Sequence, residues 1–291
     1  MTSSRTHSRR GSFWTHLLLG LLIAMPFSAH ANDPEILSAL DARQYQRLDT
    51  KLNGLQKDYE SGRLDEISLR NAFAPFYRLT PQQIAAMQDW VKSSPNSYAA
   101  HLGWGIYLRR AALDAQNGQG IAELSNERLD SRARLLEAAK PELQRAKVLA
   151  AKPMLAIFHL MGVSLFQGDQ VASRALFDQA NKINPKNRLV RDRYMLTLTP
   201  RWGGSYPEMQ SFIAASRTAR LDPEGIMHLE AIMYDDMGHS AMEAGDQKEA
   251  YKYFRMALDL DAKIGGSFRH DYLMTADAYV CGQDRDPKYC K

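Results

Sequence analysis

Apolar side chains in this sequence recur at three- and four-residue steps over almost its whole length, and that period constrains the fold more than any other feature. Ile36, Leu37 and Leu40 begin the pattern, and Leu48, Leu52, Leu55 and Tyr59 carry it to residue 59. After Gly62 it resumes with Ile67, Leu69, Phe73 and Phe76. No run of β-branched or aromatic residues alternates with polar ones, so no strands are expected. The end signals agree with the period. Asp33-Pro34-Glu35 opens the first helix, with proline at a position whose N–H needs no partner. Thr80-Pro81-Gln82-Gln83 is a capping box, and Ser94-Pro95-Asn96 stops the helix it opens. Further helices are expected at 127–151, 154–167, 170–183, 187–199, 206–220, 225–243, 247–262 and 267–280, with 116–126 as a long exposed loop. The fold class is all-α.

Composition narrows the function classes. An apolar share of 45% with 24% charged residues is that of an ordinary globular protein, which excludes disorder as the main state. Two cysteines exclude a disulfide-stapled miniprotein and a zinc site built from cysteines. The formal charge is +4, but residues 1–31 hold Arg5, Arg9 and Arg10 and no acid. The remainder carries 34 basic against 33 acidic groups, interleaved along the chain. A nucleic-acid binder concentrates its bases in a patch or stripe, so no nucleic-acid partner is expected.

Residues 1–31 have the layout of a secretory signal peptide. A basic stretch to Arg10 precedes an apolar run from Leu17 to Phe27, and Ala29 and Ala31 give the small-x-small pattern for cleavage after Ala31. Eleven residues rise only about 16 Å as a helix, half a bilayer core, so no stable membrane insertion of the mature chain is expected. Ser8-Arg9-Arg10 resembles a twin-arginine start, but Phe13 comes one position late and general secretion fits better. The expected organisation is a cleaved segment 1–31 and one domain, 32–291, in the periplasm. Cys281 and Cys290 flank a polar, turn-forming stretch, and a disulfide closing that loop suits an oxidising compartment. Their spacing is not that of a C-x-x-C redox pair.

Short helix pairs joined by glycine turns invite a search for repeats. In 231–264, Tyr234, Met237, Gly238, Ala241, Gly245, Ala250, Phe254 and Ala257 stand at spacings that resemble a tetratricopeptide repeat. A second unit, 154–186, has Gly168, Ser173, Phe177, Ala180 and Pro185 at the same second-helix spacing, while Gly162 fits with a one-residue offset. Ala250 and Ser173 lie 77 residues apart, so the array is irregular. The mature chain is also similar to a bacterial domain-of-unknown-function family of tetratricopeptide-like proteins. The residues that carry this are Thr199-Pro200-Arg201-Trp202-Gly203-Gly204-Ser205, Tyr59-Glu60-Ser61-Gly62-Arg63 and Ser97-Tyr98-Ala99-Ala100-His101. The resemblance implies an α-solenoid of antiparallel helix pairs and no established activity. Small residues at Gly238, Ala250 and Ala257 would let paired helices approach.

The resemblance also places Ile232, Asp235, His239, Met242 and Glu243 on the groove-facing side of a first helix, with His159 groove-facing in the offset unit. That acidic, partly apolar face suits a basic or apolar segment of a protein or peptide partner. The competing reading is an ordinary solvated helix face. His228 and His239 lie eleven residues apart, about 16 Å along a helix, too far to ligate one ion beside Asp235 and Asp236, so neither metal nor cofactor is expected. Arg201, Trp202, Gly203, Gly204 and Ser205 read as a structural corner or as an anion contact at a helix N-terminus. Enzyme signatures such as G-x-S-x-G, H-E-x-x-H and G-x-G-x-x-G are absent, and no catalytic residue is assigned. The expected function is a non-enzymatic scaffold binding through its concave face. An acidic-groove envelope hydrolase and a structural subunit of an envelope complex are the alternatives.

Overall fold

The computed structural model describes residues 34–115, 124–266 and 272–284. The export signal with its cleavage point, most of the 116–126 loop and Cys290 lie outside the described residues. Helices account for nearly everything described. They are α1 (Pro34–Asp41), α2 (Tyr45–Glu60), α3 (Glu66–Ala72), α4 (Pro81–Ser93), α5 (Tyr98–Asp114), α6 (Asn126–Leu149) and α7 (Met154–Gln167). There follow α8 (Gln170–Ile183), α9 (Leu189–Thr197), α10 (Tyr206–Thr218), α11 (Pro223–Glu243), α12 (Gln247–Lys263) and α13 (Met274–Asp284). Short 3-10 turns, Ala74–Tyr77 and Pro200–Trp202, follow α3 and α9. Among the described residues there is no strand.

Side-chain caps fix most boundaries. Thr80 and Gln83 form the full capping box of α4. Asp169, Ser205, Asp222 and Asp246 each accept a backbone N–H at the start of α8, α10, α11 and α12. Such a cap stabilises a helix by about 1 kcal/mol. Gly168 and Gly245 take left-handed φ values of 70° and 78° and turn α7 into α8 and α11 into α12. Unlike the unbroken pattern read from 36 to 59, the chain breaks between α1 and α2, where Arg43 adopts φ 53°. Of the helix expected over 267–280, residues 267–271 lie outside the described residues, and Met274–Asp284 is helical.

Sequence neighbours pack as pairs: α5 with α6, α7 with α8, and α11 with α12. Gly238 permits the last pairing, because a Cβ there would lie 2.5 Å from the Phe254 ring. Contacts of α5 with α7, α7 with α9 and α9 with α11 put these four helices in one row. Across that row α3 folds back onto α7. Every residue of α7 from Met154 to Leu165 is consequently buried, which suits a helix apolar on all sides. Among the described residues, no helix is long and apolar enough to cross a membrane.

Candidate functional site

A cavity of about 540 Å³ opens where the first and last described helices meet the helix row. Its wall takes Leu37 from α1, Arg70 from α3, and Pro75, Tyr77 and Arg78 from the following turn. Arg109, Arg110 and Leu113 come from the end of α5, Leu165 and Phe166 from the end of α7, and Arg193 and Leu196 from α9. Trp202, Tyr272 and Met274 complete it. Five arginines line this space, and no described aspartate or glutamate does.

Burial makes those charges consequential. Arg109 is 3% exposed and follows Leu102 and Ile106 on the buried stripe of α5. Its Nε donates to Nδ1 of His159 at 3.2 Å, a neutral acceptor that leaves the positive charge unanswered. Burial, followed by repulsion from Arg193, lowers the Arg109 guanidinium to a pKa of about 9. His159 is fully buried, and burial together with Arg109, Arg193 and Arg70 holds it well below the ordinary histidine range. It is therefore neutral, with the proton on Nε2, which has no hydrogen-bond partner. The guanidinium of Arg193 lies 4.2 Å from the Phe158 ring centroid, and its buried Nε has no partner. Arg191, two residues earlier, is the contrast: it donates to Ser216, Asn181 and the Pro185 carbonyl, as a structural arginine does. Arg110 pairs with Asp114 at 2.9 Å.

Gly162 makes room for this cluster. A Cβ on it would lie 2.7 Å from Nη1 of Arg193 and 3.1 Å from Cδ of Arg109. The glycine that resembles a repeat signature thus lets two guanidinium groups lie against α7.

The residues marked from the repeat pattern are placed differently. Ile232 and Asp235 are buried, His239 is half-buried, and Met242 and Glu243 reach solvent. The five do not make one accessible face. The N–H of Ala276 on α13 donates to Asp235, and Tyr279 packs 5.1 Å from Phe254, so the C-terminal helix covers this part of α11. Burial raises Asp235 to about 7 and lowers His239 to about 4. His228 sits apart, between Asp192 at 3.3 Å and Arg188 at 3.0 Å. Among the described residues no group of three or more His, Cys, Asp or Glu side chains could hold a metal ion.

The 199–205 segment forms a tight corner. Gly203 has φ 90°, and a Cβ on Gly204 would overlap the Leu198 carbonyl. Nε of Arg201 donates to the buried Asp236 at 2.6 Å, and the Tyr206 hydroxyl donates to the same carboxylate at 3.2 Å. The Trp202 carbonyl accepts from Gln170 at 2.6 Å, and its ring meets Phe166 edge-on at the cavity wall. Arg201 is therefore tied to Asp236, and Ser205 caps α10. Cys281 lies on α13, half-buried, and Cys290 is outside the described residues.

Residues 34–172 match the family model described as a domain of unknown function, DUF4034. From α1 to the start of α8 the chain is thus similar to a family whose description assigns no activity. Arg70, Arg109, His159 and Gly162 fall inside the match, whereas Arg193 and the 199–205 corner fall outside it. The chain matches no curated protein and no solved structure.

Proposed function

We propose that this chain is a periplasmic, non-enzymatic helical-repeat protein that holds a ligand in the arginine-lined cavity. The observation that carries the reading is the pair Arg109 and Arg193, whose charges no described carboxylate answers. A protein that needed only a stable core would not retain Arg109, because a buried charge without a partner is strongly destabilising. The row of α5, α7, α9 and α11, with α6, α8 and α12 paired to three of them, supports the tetratricopeptide-like solenoid. The N-terminal signal pattern supports export, and with it a bridge between Cys281 and Cys290. Intact mass before and after reduction tests that bridge; an unchanged mass removes it.

The cavity shifts the proposed recognition surface away from Ile232 and Asp235, which are buried, and His239, which is half-buried. It also speaks against the acidic-groove hydrolase, since the wall offers cations and rings in place of a carboxylate pair. Of the two carboxyls raised to about 7, Asp235 lies under α13, while Glu66 accepts the N–H groups of Arg188 and Leu189.

A photo-crosslinking residue at Met274, on the exposed rim, and a control at Val171, exposed on α8, test the reading. Exported protein irradiated in cells is expected to gain a covalent adduct, read by intact mass, from position 274 alone. Equal labelling at both positions contradicts it. Turnover of a glycan or peptide panel by the purified protein would favour the hydrolase instead.

A further inference from the structure

Resting on that reading, the geometry points to a specific ligand class: we infer that the cavity binds a small amphiphile whose head is a doubly charged oxyanion and whose body is apolar. The two guanidinium groups that lie together against Gly162, those of Arg109 and Arg193, set the head. Arg109 and Arg193 both reach the wall, and the contacts they make within the described protein are to neutral groups, the His159 ring and the Phe158 face. Two guanidinium groups present paired N–H donors that match phosphoryl or carboxylate oxygens two at a time. A singly charged group would leave one of them uncompensated in a space that water screens poorly. A dianion answers both.

The remaining wall sets the body. Leu113, Leu165, Phe166, Leu196 and Trp202 add an apolar and aromatic side to the surroundings of the ligand. An inorganic ion would leave that side wet, whereas a ring or short alkyl group removes it from water at about 25 cal/mol per Å². The cavity volume of about 540 Å³ falls within the range that holds one small molecule and is too small for a folded segment. Gly162 supplies the independent sign of a built site. Its missing side chain is what lets both guanidinium groups lie at this depth.

Two dianions with the same body separate the chemical sources of the head: phenyl phosphate and phenylmalonate. Calorimetric titration of the mature protein is expected to show one or both binding at least tenfold more tightly than benzyl alcohol or inorganic phosphate. The preferred compound assigns the head as phosphoryl or as paired carboxylates. Arg193→Gln is expected to weaken binding at least tenfold, while Arg174→Gln, which removes a surface pair with Asp178, leaves it unchanged. Gly162→Ala gives a second readout at the same site that keeps both charges, and it is expected to weaken binding as well. Failure of both dianions to bind, or binding indifferent to Arg193, overturns the ligand class. A rim-specific adduct at Met274 in that case leaves the cavity as a binding site with another ligand. Binding of the dianions without any such adduct in cells would instead remove the proposed function.

Discussion

Replacing Arg109 with methionine is expected to make the protein more stable while removing its ligand. The arginine is fully buried, and burial lowers its guanidinium from the ordinary arginine range to about 9. Each tenfold loss in proton affinity corresponds to about 1.4 kcal/mol, which puts the penalty of the buried charge at roughly 4–5 kcal/mol as an upper bound. Methionine is flexible and apolar and fills most of the same path. Against the gain stands Nδ1 of His159, which loses its donor at 3.2 Å, a cost of about 1–3 kcal/mol. The net expectation is a stabilisation of about 1–4 kcal/mol, or about 3–12 °C in melting temperature for a chain of this size. Differential scanning calorimetry with urea unfolding measures it.

The pH dependence has a fixed sign. Because the folded-state pKa of Arg109 lies below the unfolded one, the unfolded chain binds more protons above about pH 9. The penalty is therefore complete below about pH 9 and is relieved above it. The advantage of Arg109→Met should hold from pH 6 to 8.5 and shrink at higher pH. A variant that melts several degrees below the parent throughout that range would refute the reasoning, since it would mean the charge is compensated in the free protein.

Three other substitutions probe separate parts of the account. Gly162→Ala should change stability by less than about 1 kcal/mol, because the helix gains propensity while the flexible end of Arg193 gives way, and thermal melts measure it. Asp235→Asn should be nearly neutral at pH 4 and stabilising by about 2–4 kcal/mol at pH 8. The folded Asp235 carboxyl, raised to about 7 by burial, binds its proton more tightly than the unfolded one, so it costs stability increasingly as pH rises from 4 to 7. Melts at the two pH values that shift equally would remove that reasoning. Arg201→Ala should destabilise by about 2–3 kcal/mol, because it leaves the buried Asp236 carboxylate without its cation, and urea midpoints give the figure.

Local signals carried the helices and failed where tertiary contacts decide. Thr80 stands where the sequence shows a capping box, and it caps its helix. The break between α1 and α2 has no glycine or proline, so a continuous apolar period hid the left-handed Arg43. Asp235 looked exposed because helix spacing says which residues share a face, not what later covers that face. The helix that covers it begins about forty residues downstream. Arg109 left a faint mark, a charge at an apolar-stripe position after Leu102 and Ile106. Nothing local showed that Arg193 would go unpaired while Arg191 found three acceptors. That difference depends on which chain segments close around α9, and Gly162 gave its clue in the guise of a repeat residue.

Arginine side-chain NMR tests the central claim most directly. The claim is that ligand enters the cavity and meets Arg109 and Arg193. In 1H–15N spectra of the mature protein titrated with phenyl phosphate, the Nε–H resonances of Arg109 and Arg193 should shift in a saturable way. Those of Arg174 and Arg217, held in surface pairs with Asp178 and Glu230, should stay still. Saturable shifts confined to the two cavity arginines are the predicted result. No shift, or one that runs evenly through all four arginines, would contradict it.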